Sequence, residues 1–474
     1  MKKALVLILM IAAVNQVSAQ NWEVVGNTQA TSNEVDQFDI ATHEDSIVYV
    51  AFADLKMNRR AQTKVLKSGQ WTSFGAAAGF SGSTSDLFNL DVLPNGNPIL
   101  AFRDYNFNYG TRVMLNDLND ANLNWREYGM QHKGINGNYS TNIVMTLNSN
   151  GLPYVGLNNK QFNSDFMIMH FDSLLKPYVS ISNPSPNSRS LGIYDMAFSP
   201  NDELYIVYHD TTLDTNSNFN LNDRISVSKR VGNEWQLVGE RGVSWGKTSD
   251  VSLEFDSKGN PYVAFYHSYT KDGIFGGGGS VRMFNGTSWV AVGPETITPR
   301  SVSGFDMAIS PSDTVAISYY GTKNLEVFAF NGNEWQKVGD KASDGAAYRG
   351  KIEFGSAGTL YAIFKDGANG NKVTVTKYTG ALTTPSQNSS VRNTTLSKVN
   401  VFPNPSSSFF TIANLPEGNK TIEVIDVRGV VLSSNTTNAE SVQLDNHHLS
   451  SGCYWVRITT ETTVESLPIL IEKQ

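Results

Sequence analysis

Trp22-Glu23-Val24-Val25-Gly26 heads a pattern that returns along the chain. Trp71-Thr-Ser-Phe-Gly75, Trp125-Arg-Glu-Tyr-Gly129, Trp235-Gln-Leu-Val-Gly239, Trp289-Val-Ala-Val-Gly293 and Trp335-Gln-Lys-Val-Gly339 repeat its Trp and its Gly. The interval is about 50 residues, a length that marks repeat architectures. The gap between Trp125 and Trp235 is twice as long, so a degenerate copy is expected near Tyr178. Phe171-Asp-Ser-Leu174, running on to Pro177-Tyr178, is read as that copy with its Trp missing.

Two further segments recur between the Trp motifs. One is a short alternating run, as in Phe38–Ala41, Phe88–Val92, Tyr194–Phe198, Val251–Phe255 and Phe305–Ile309. A polar turn follows it, such as Pro94-Asn-Gly96 or Ser257-Lys-Gly259, and then a longer apolar run: Ile47–Ala53, Pro98–Phe102, Leu204–Tyr208, Pro261–Tyr266, Val315–Tyr320 or Leu360–Phe364. A third run precedes each Trp, as in Val281–Phe284 and Leu325–Phe328. Their length, β-branched and aromatic content and turn-forming bounds are those of strands. Four strands per repeat predict the blade of a β-propeller. One such sheet cannot cover its own faces, so blades must stack and the ring must close.

The ends test closure. The chain opens on a Trp strand without partners and its last repeat stops at Val373–Tyr378 without a Trp strand. The two remnants complete one another, which predicts an all-β fold with a seven-bladed propeller over residues 20–381. A solenoid would need capped ends and a shorter period, and a row of sandwiches would not leave complementary half-blades. The recurring Trp is read as packing across the seam between blades, not as a ladder of sugar platforms.

Composition narrows the function. The chain has 474 residues, 40% hydrophobic, and a formal charge of −7. That balance gives no basic surface for nucleic acid and no attraction to anionic lipid. A single Cys453 excludes internal disulfides and cysteine-based zinc sites. Residues 1–19 read as a signal peptide: Lys2-Lys3, an apolar run from Ala4 to Val14, and Val17-Ser18-Ala19 before cleavage. The apolar run is shorter than the ~20 residues a membrane helix needs. No transmembrane segment is expected in the mature chain.

Residues 382–396 are polar and aperiodic, a linker, and beyond them the pattern changes. Short strands spaced over residues 397–474 predict a small β-sandwich. Val401-Phe-Pro-Asn-Pro405, Ile422-Glu-Val-Ile-Asp-Val-Arg-Gly429 and Leu449-Ser-Ser-Gly-Cys-Tyr-Trp-Val-Arg-Ile458 resemble the type A C-terminal sorting domain of the type IX (Por) secretion system. The resemblance implies a Gram-negative source in the Bacteroidota and a cargo whose folded tail is recognised by the outer-membrane translocon. The cargo would then be released or attached to the cell surface. It implies nothing about the propeller's activity.

Candidate binding residues come from position. The second strands end in Asp54, Asp104, Asn158, Asp210, His267, Gly321 and Asp366, of which the four Asp, the Asn and the His would line one rim of the ring. The same acids also suit Asx turns that start the following loop. Loops after the second strands vary as binding surfaces do. They supply Arg103, Tyr105 and Tyr109 in the second blade, and His267 and Tyr269 in the fifth. Rings mixed with amides and charges suit a glycan or a protein partner. Asp214-Thr-Asn216-Ser-Asn218 begins like a calcium loop but lacks the sixth-position Gly and the twelfth-position Glu, so no cofactor is expected. Gly276–Gly279 has neither the Lys-Ser/Thr nor the helix of a phosphate loop. No Gly-x-Ser-x-Gly elbow occurs. The expectation is an exported binding or adhesion propeller for glycan or protein. The alternatives are a glycoside hydrolase or lyase using rim carboxylates, and a structural matrix component.

Overall fold

The computed structural model describes residues 22–473 apart from 27–28, 45, 76–78, 120–122, 129–139, 160–165, 171–191, 211–212, 214–223, 233, 245, 272–273, 322–323, 383–398, 405, 416–417, 427–430 and 461–463. The signal peptide, the degenerate copy at 171–178, the Asp214–Asn218 loop and all but the first residue of the 382–396 linker lie outside the described residues. Two compact units divide the chain, Met1–Ser386 and Gln387–Gln474.

Among the described residues the first unit holds seven antiparallel sheets, six of them running from an inner strand outward in chain order. The inner strands are Val35–His43, Ser85–Val92, Ser140–Leu147, Ile193–Phe198, Lys247–Phe255, Ser303–Ile309 and Ala347–Phe354. Six sheets have four strands, and the described part of the third has three. The seventh closes the ring. Its outer strand is Trp22–Val24, paired as Trp22↔Tyr378, Glu23↔Lys377 and Val24↔Thr376.

Apolar cores fill the seams between blades. Val48, Val50 and Phe52 meet Ile363 and Val375, while Tyr49 and Ala51 point the other way toward Leu100 and Phe102. Second strands are therefore buried on both faces, which is why they read as unbroken apolar runs and not as alternations. Each Trp spans a seam. The indole N–H of Trp71 donates to Val25 O (2.9 Å), Trp289 to Val238 O (2.8 Å), Trp335 to Val292 O (2.8 Å) and Trp22 to Val338 O (2.8 Å). Each acceptor is the residue just before the Gly of the preceding motif. The next Trp ring then lies against that Gly, leaving no space for a side chain at Gly26 or Gly75. At these seams the motif is thus a relay, one copy receiving the Trp of the next.

In the second unit, Phe409–Ala413 lies between Asn400–Phe402 and Ser441–Asp445. The facing sheet orders Val431–Thr437, Lys420–Asp426, Gly452–Thr459 and Val464–Ile471. Alternate residues Phe410 and Ile412, Ile422 and Val424, Val456 and Ile458, and Ile469 and Ile471 fill a private core. Period-two burial on two facing sheets makes this a β-sandwich.

Candidate functional site

Val35 pairs with Asp54 and Ser85 with Asp104, so the ends of the second strands share a face with the starts of the inner strands. This upper face carries the loops leading to the third strands. In the third blade the same register falls on Asn159, opposite Ser140, and not on Asn158: Asn159 stands six residues after Pro153, as Asp104 does after Pro98.

The rim acids are buried, and their own loops hold them. Asp54 caps the one-turn 3-10 helix Leu55–Met57, accepting Lys56 N–H (2.8 Å), while Asn33 donates to its other oxygen (3.0 Å). Asp104 caps Tyr105–Phe107 through Asn106 N–H (3.0 Å) and pairs with Arg112 (3.0 Å). Asp366 caps Gly367–Asn369 through Ala368 N–H (3.0 Å) and accepts from Asn369 (2.6 Å) and Thr374 (2.8 Å). Asp210 accepts from Ser226 and Arg241, both at 2.7 Å. His267 is buried beside Ser280 (3.3 Å), and burial, reinforced by Arg282, lowers its pKa to about 4, leaving a neutral ring.

Three candidates form one corner on the second blade, with Tyr109 exposed and Arg103 and Tyr105 partly buried. Arg103 forks onto Asp86 (2.7 and 2.5 Å), and Tyr105 Oη donates to the same carboxylate (3.1 Å). The Tyr109 ring lies 4.5 Å from the Tyr105 ring and is 45% exposed. Tyr269 pairs with Gly276 in the fifth blade, and its side chain lies outside the described residues.

The position-based reading passed over the axis of the ring. Two cavities, about 610 Å³ at the upper face and about 660 Å³ at the lower, share Asn89, Asp195, Ser252, Asp306 and Lys351. These side chains clasp one blade to the next. Asp39 accepts Leu90 N–H (2.8 Å), Asp195 accepts Leu253 N–H (2.8 Å) and Asp306 accepts Ile352 N–H (2.9 Å). Asn89 donates to Ile143 O (2.8 Å), Asn142 to Ile193 O (2.6 Å), Ser252 to Asp306 (3.1 Å) and Lys351 to Asp39 (2.7 Å). Every seam, including the one between the last blade and the first, carries one such bond.

Below this tier lie Asp91, Glu254 and Glu353. Burial raises Asp91 to about 6, with Asp39 adding to it. Burial takes Asp195 to about 7 against the opposing pull of its backbone donors and Lys351. Glu353 reaches about 8 through burial and then Asp91, Asp39 and Asp306. Glu254 rises well above the carboxylate range for the same reasons. Burial works to lower the Lys351 ammonium, but Asp39, Asp306 and Asp195 outweigh it and raise its pKa. Carboxyls with raised folded-state pKa values contribute stability present below about pH 4, where both states are protonated, and lost as pH rises through 6 to 8. Melting temperature should therefore fall between pH 5 and pH 8.5, and more steeply in Lys351→Met, where the cation is gone. A flat profile by differential scanning fluorimetry would contradict the channel electrostatics.

Among the described residues no cluster of three His, Cys, Asp or Glu could hold a metal ion, and no helix is long and apolar enough to cross a membrane.

Residues 400–472 match the secretion system C-terminal sorting domain. No curated protein matches the chain. Among solved structures, an ulvan lyase of polysaccharide lyase family PL25, bound to -[GlcA(1-4)Rha3S]-, is 14% identical with a TM-score of 0.51 over 74% of this chain and 95% of its own. A Trypanosoma rangeli sialidase in complex with the inhibitor DANA is 9% identical, with a TM-score of 0.43 over 85% of this chain and 86% of its own. PorZ, a surface component of the type IX secretion system of Porphyromonas gingivalis, is 14% identical, with a TM-score of 0.33 over 94% of this chain and 71% of its own. The lyase likeness is one of fold alone, and the other two, below 0.5, add no argument. The sorting domain makes the chain a cargo of the type IX system in the Bacteroidota, secreted or attached to the cell surface.

Proposed function

We propose that this exported propeller binds saccharide on its upper face and does not cleave it. The observation that carries the reading is the employment of the rim acids. Asp54, Asp104 and Asp366 each cap their own loop, and one oxygen of Asp210 accepts from both Ser226 and Arg241. A glycosidase needs two carboxyls facing the scissile bond, one free to donate a proton. The rim offers acceptors engaged by local donors, while the second blade offers a tilted pair of rings and the channel mouth offers a polar cavity.

The unit seen in the ulvan lyase carries a glucuronate and a sulfate. Here the axis carries Asp39, Asp91, Asp195, Glu254, Asp306 and Glu353 against Lys351. The raised pKa values of Asp91, Asp195, Glu254 and Glu353 mark an axis that disfavours added negative charge, which weighs against such a polyanion and favours a neutral chain.

The test is a glycan-array screen of the full chain lacking residues 1–19, with the bound glycans then assayed for new reducing ends and unsaturated products. Binding without turnover is expected. Turnover abolished by Asp104→Asn or Asp210→Asn would instead establish the hydrolase or lyase reading. The same two variants should lose about 1–3 kcal/mol of stability, because each breaks a buried charge-assisted contact; unchanged urea midpoints would count against the structural role given to these acids.

A further inference from the structure

The loops after the second strands of the first, second and seventh blades share one geometry. An Asp cap starts a single 3-10 turn, and two consecutive residues then take left-handed backbone before the third strand. In the seventh blade these are Gly370 and Asn371, at φ of 68° and 59°. Glycine and asparagine are the residue types that accept this region readily. The first blade places Asn58 and Arg59 there, both at 55°, and the second Asn108 and Tyr109, at 52° and 59°. A bulky aromatic at positive φ is an outlier, and such strain persists where the surroundings enforce it, often at ligand sites.

The strained ring does not fill the core. Tyr109 is among the exposed large side chains, and it rests on Tyr105, whose hydroxyl is held by Asp86, itself clamped by Arg103. The Arg103 guanidinium lies 5.4 Å from the Tyr105 ring centre. Exposed Asn106 and Asn108 flank the platform with amides. Rigid rings with few torsions to freeze, beside amide donors and acceptors, suit the apolar face and hydroxyls of a pyranose.

We infer that Tyr109 is a stacking platform for a neutral sugar ring, displayed in a left-handed backbone conformation that a Gly-Asn pair would fill without strain. The inference rests on the saccharide-binding reading and names the ligand class and the contact residue.

Isothermal titration calorimetry of the full chain lacking residues 1–19 against cellohexaose, mannohexaose and chitohexaose tests it, with melting temperatures measured in parallel. Tyr109→Asn, copying the seventh blade, should weaken binding at least tenfold without lowering the melting temperature, because strain relief offsets the lost ring contact. Tyr109→Phe should bind within threefold of the parent. Parent-like affinity in Tyr109→Asn overturns the platform and leaves the saccharide reading standing. A melting temperature that falls together with affinity also overturns it, since the ring is then a packing element. Failure of the parent chain to bind any of the three oligosaccharides overturns both, and points to a protein partner for this face.

Discussion

Deleting Trp22–Gly26 should abolish cooperative unfolding of the propeller. The segment is the outer strand of the last blade, and without it Lys372–Tyr378 becomes an unpaired edge. It also supplies Val25 N–H to Val375 O (2.8 Å), Val25 O as acceptor for Trp71, and an indole that reaches Val338 O and lies 5.6 Å from the Tyr378 ring. Two seams lose their bridge at once. An exposed edge strand beside an opened apolar seam invites association between chains. Trp22→Ala alone, which keeps the backbone ladder, should cost about 2–4 kcal/mol. A synthetic peptide covering residues 20–34, added during refolding of the deletion variant, should restore the near-ultraviolet circular dichroism of the parent. An unassisted deletion variant with the parent's melting transition would show that the ring is closed by other means.

The second large effect belongs to a glycine. A Cβ at Gly75 would lie 2.6 Å from Trp125 Cδ1, and the residue sits at φ +81°. Trp125 is hemmed in, stacked on Phe80 at 4.8 Å with Phe74 at 5.8 Å, and donates to Thr63 Oγ1 at 3.1 Å. It has no direction in which to yield. Gly75→Ala should destabilise by about 2–4 kcal/mol, adding left-handed backbone strain to overpacking. Gly286→Ala is the control: it has a similar φ of +90° but nothing within reach of its Cβ, so it should lose only the backbone part, about 1 kcal/mol. Equal losses in a urea titration would mean that the Trp does not press on Gly75 as described.

Much of the scaffold was legible in the primary structure because its constraints are local and repeated. The spacing of Trp71, Trp125, Trp235, Trp289 and Trp335, and the uninterrupted apolar second strands, each carry one face or one seam of a blade. The sorting domain was legible for a similar reason, since Val401–Pro405 and Leu449–Ile458 keep their motifs side by side in the chain. The channel was not. Asp39 between Phe38 and Ile40, or Asp306 between Phe305 and Met307, reads like any outward-facing polar residue of an alternating strand. Nothing in such alternation says whether the polar face meets bulk water or six other inner strands.

The order of the modules, their number and the matching half-blades at the two ends were determined by the sequence alone, because hydrophobic periodicity and turn chemistry act over a few neighbouring residues. The seven clasps around the axis and the raised carboxyls inside it were decided only by the tertiary structure. Those properties depend on distances between residues some 50 to 310 positions apart, and on how much water closure leaves around them. Charge and hydrogen bonding respond to that separation and solvation, which no stretch of the chain encodes by itself.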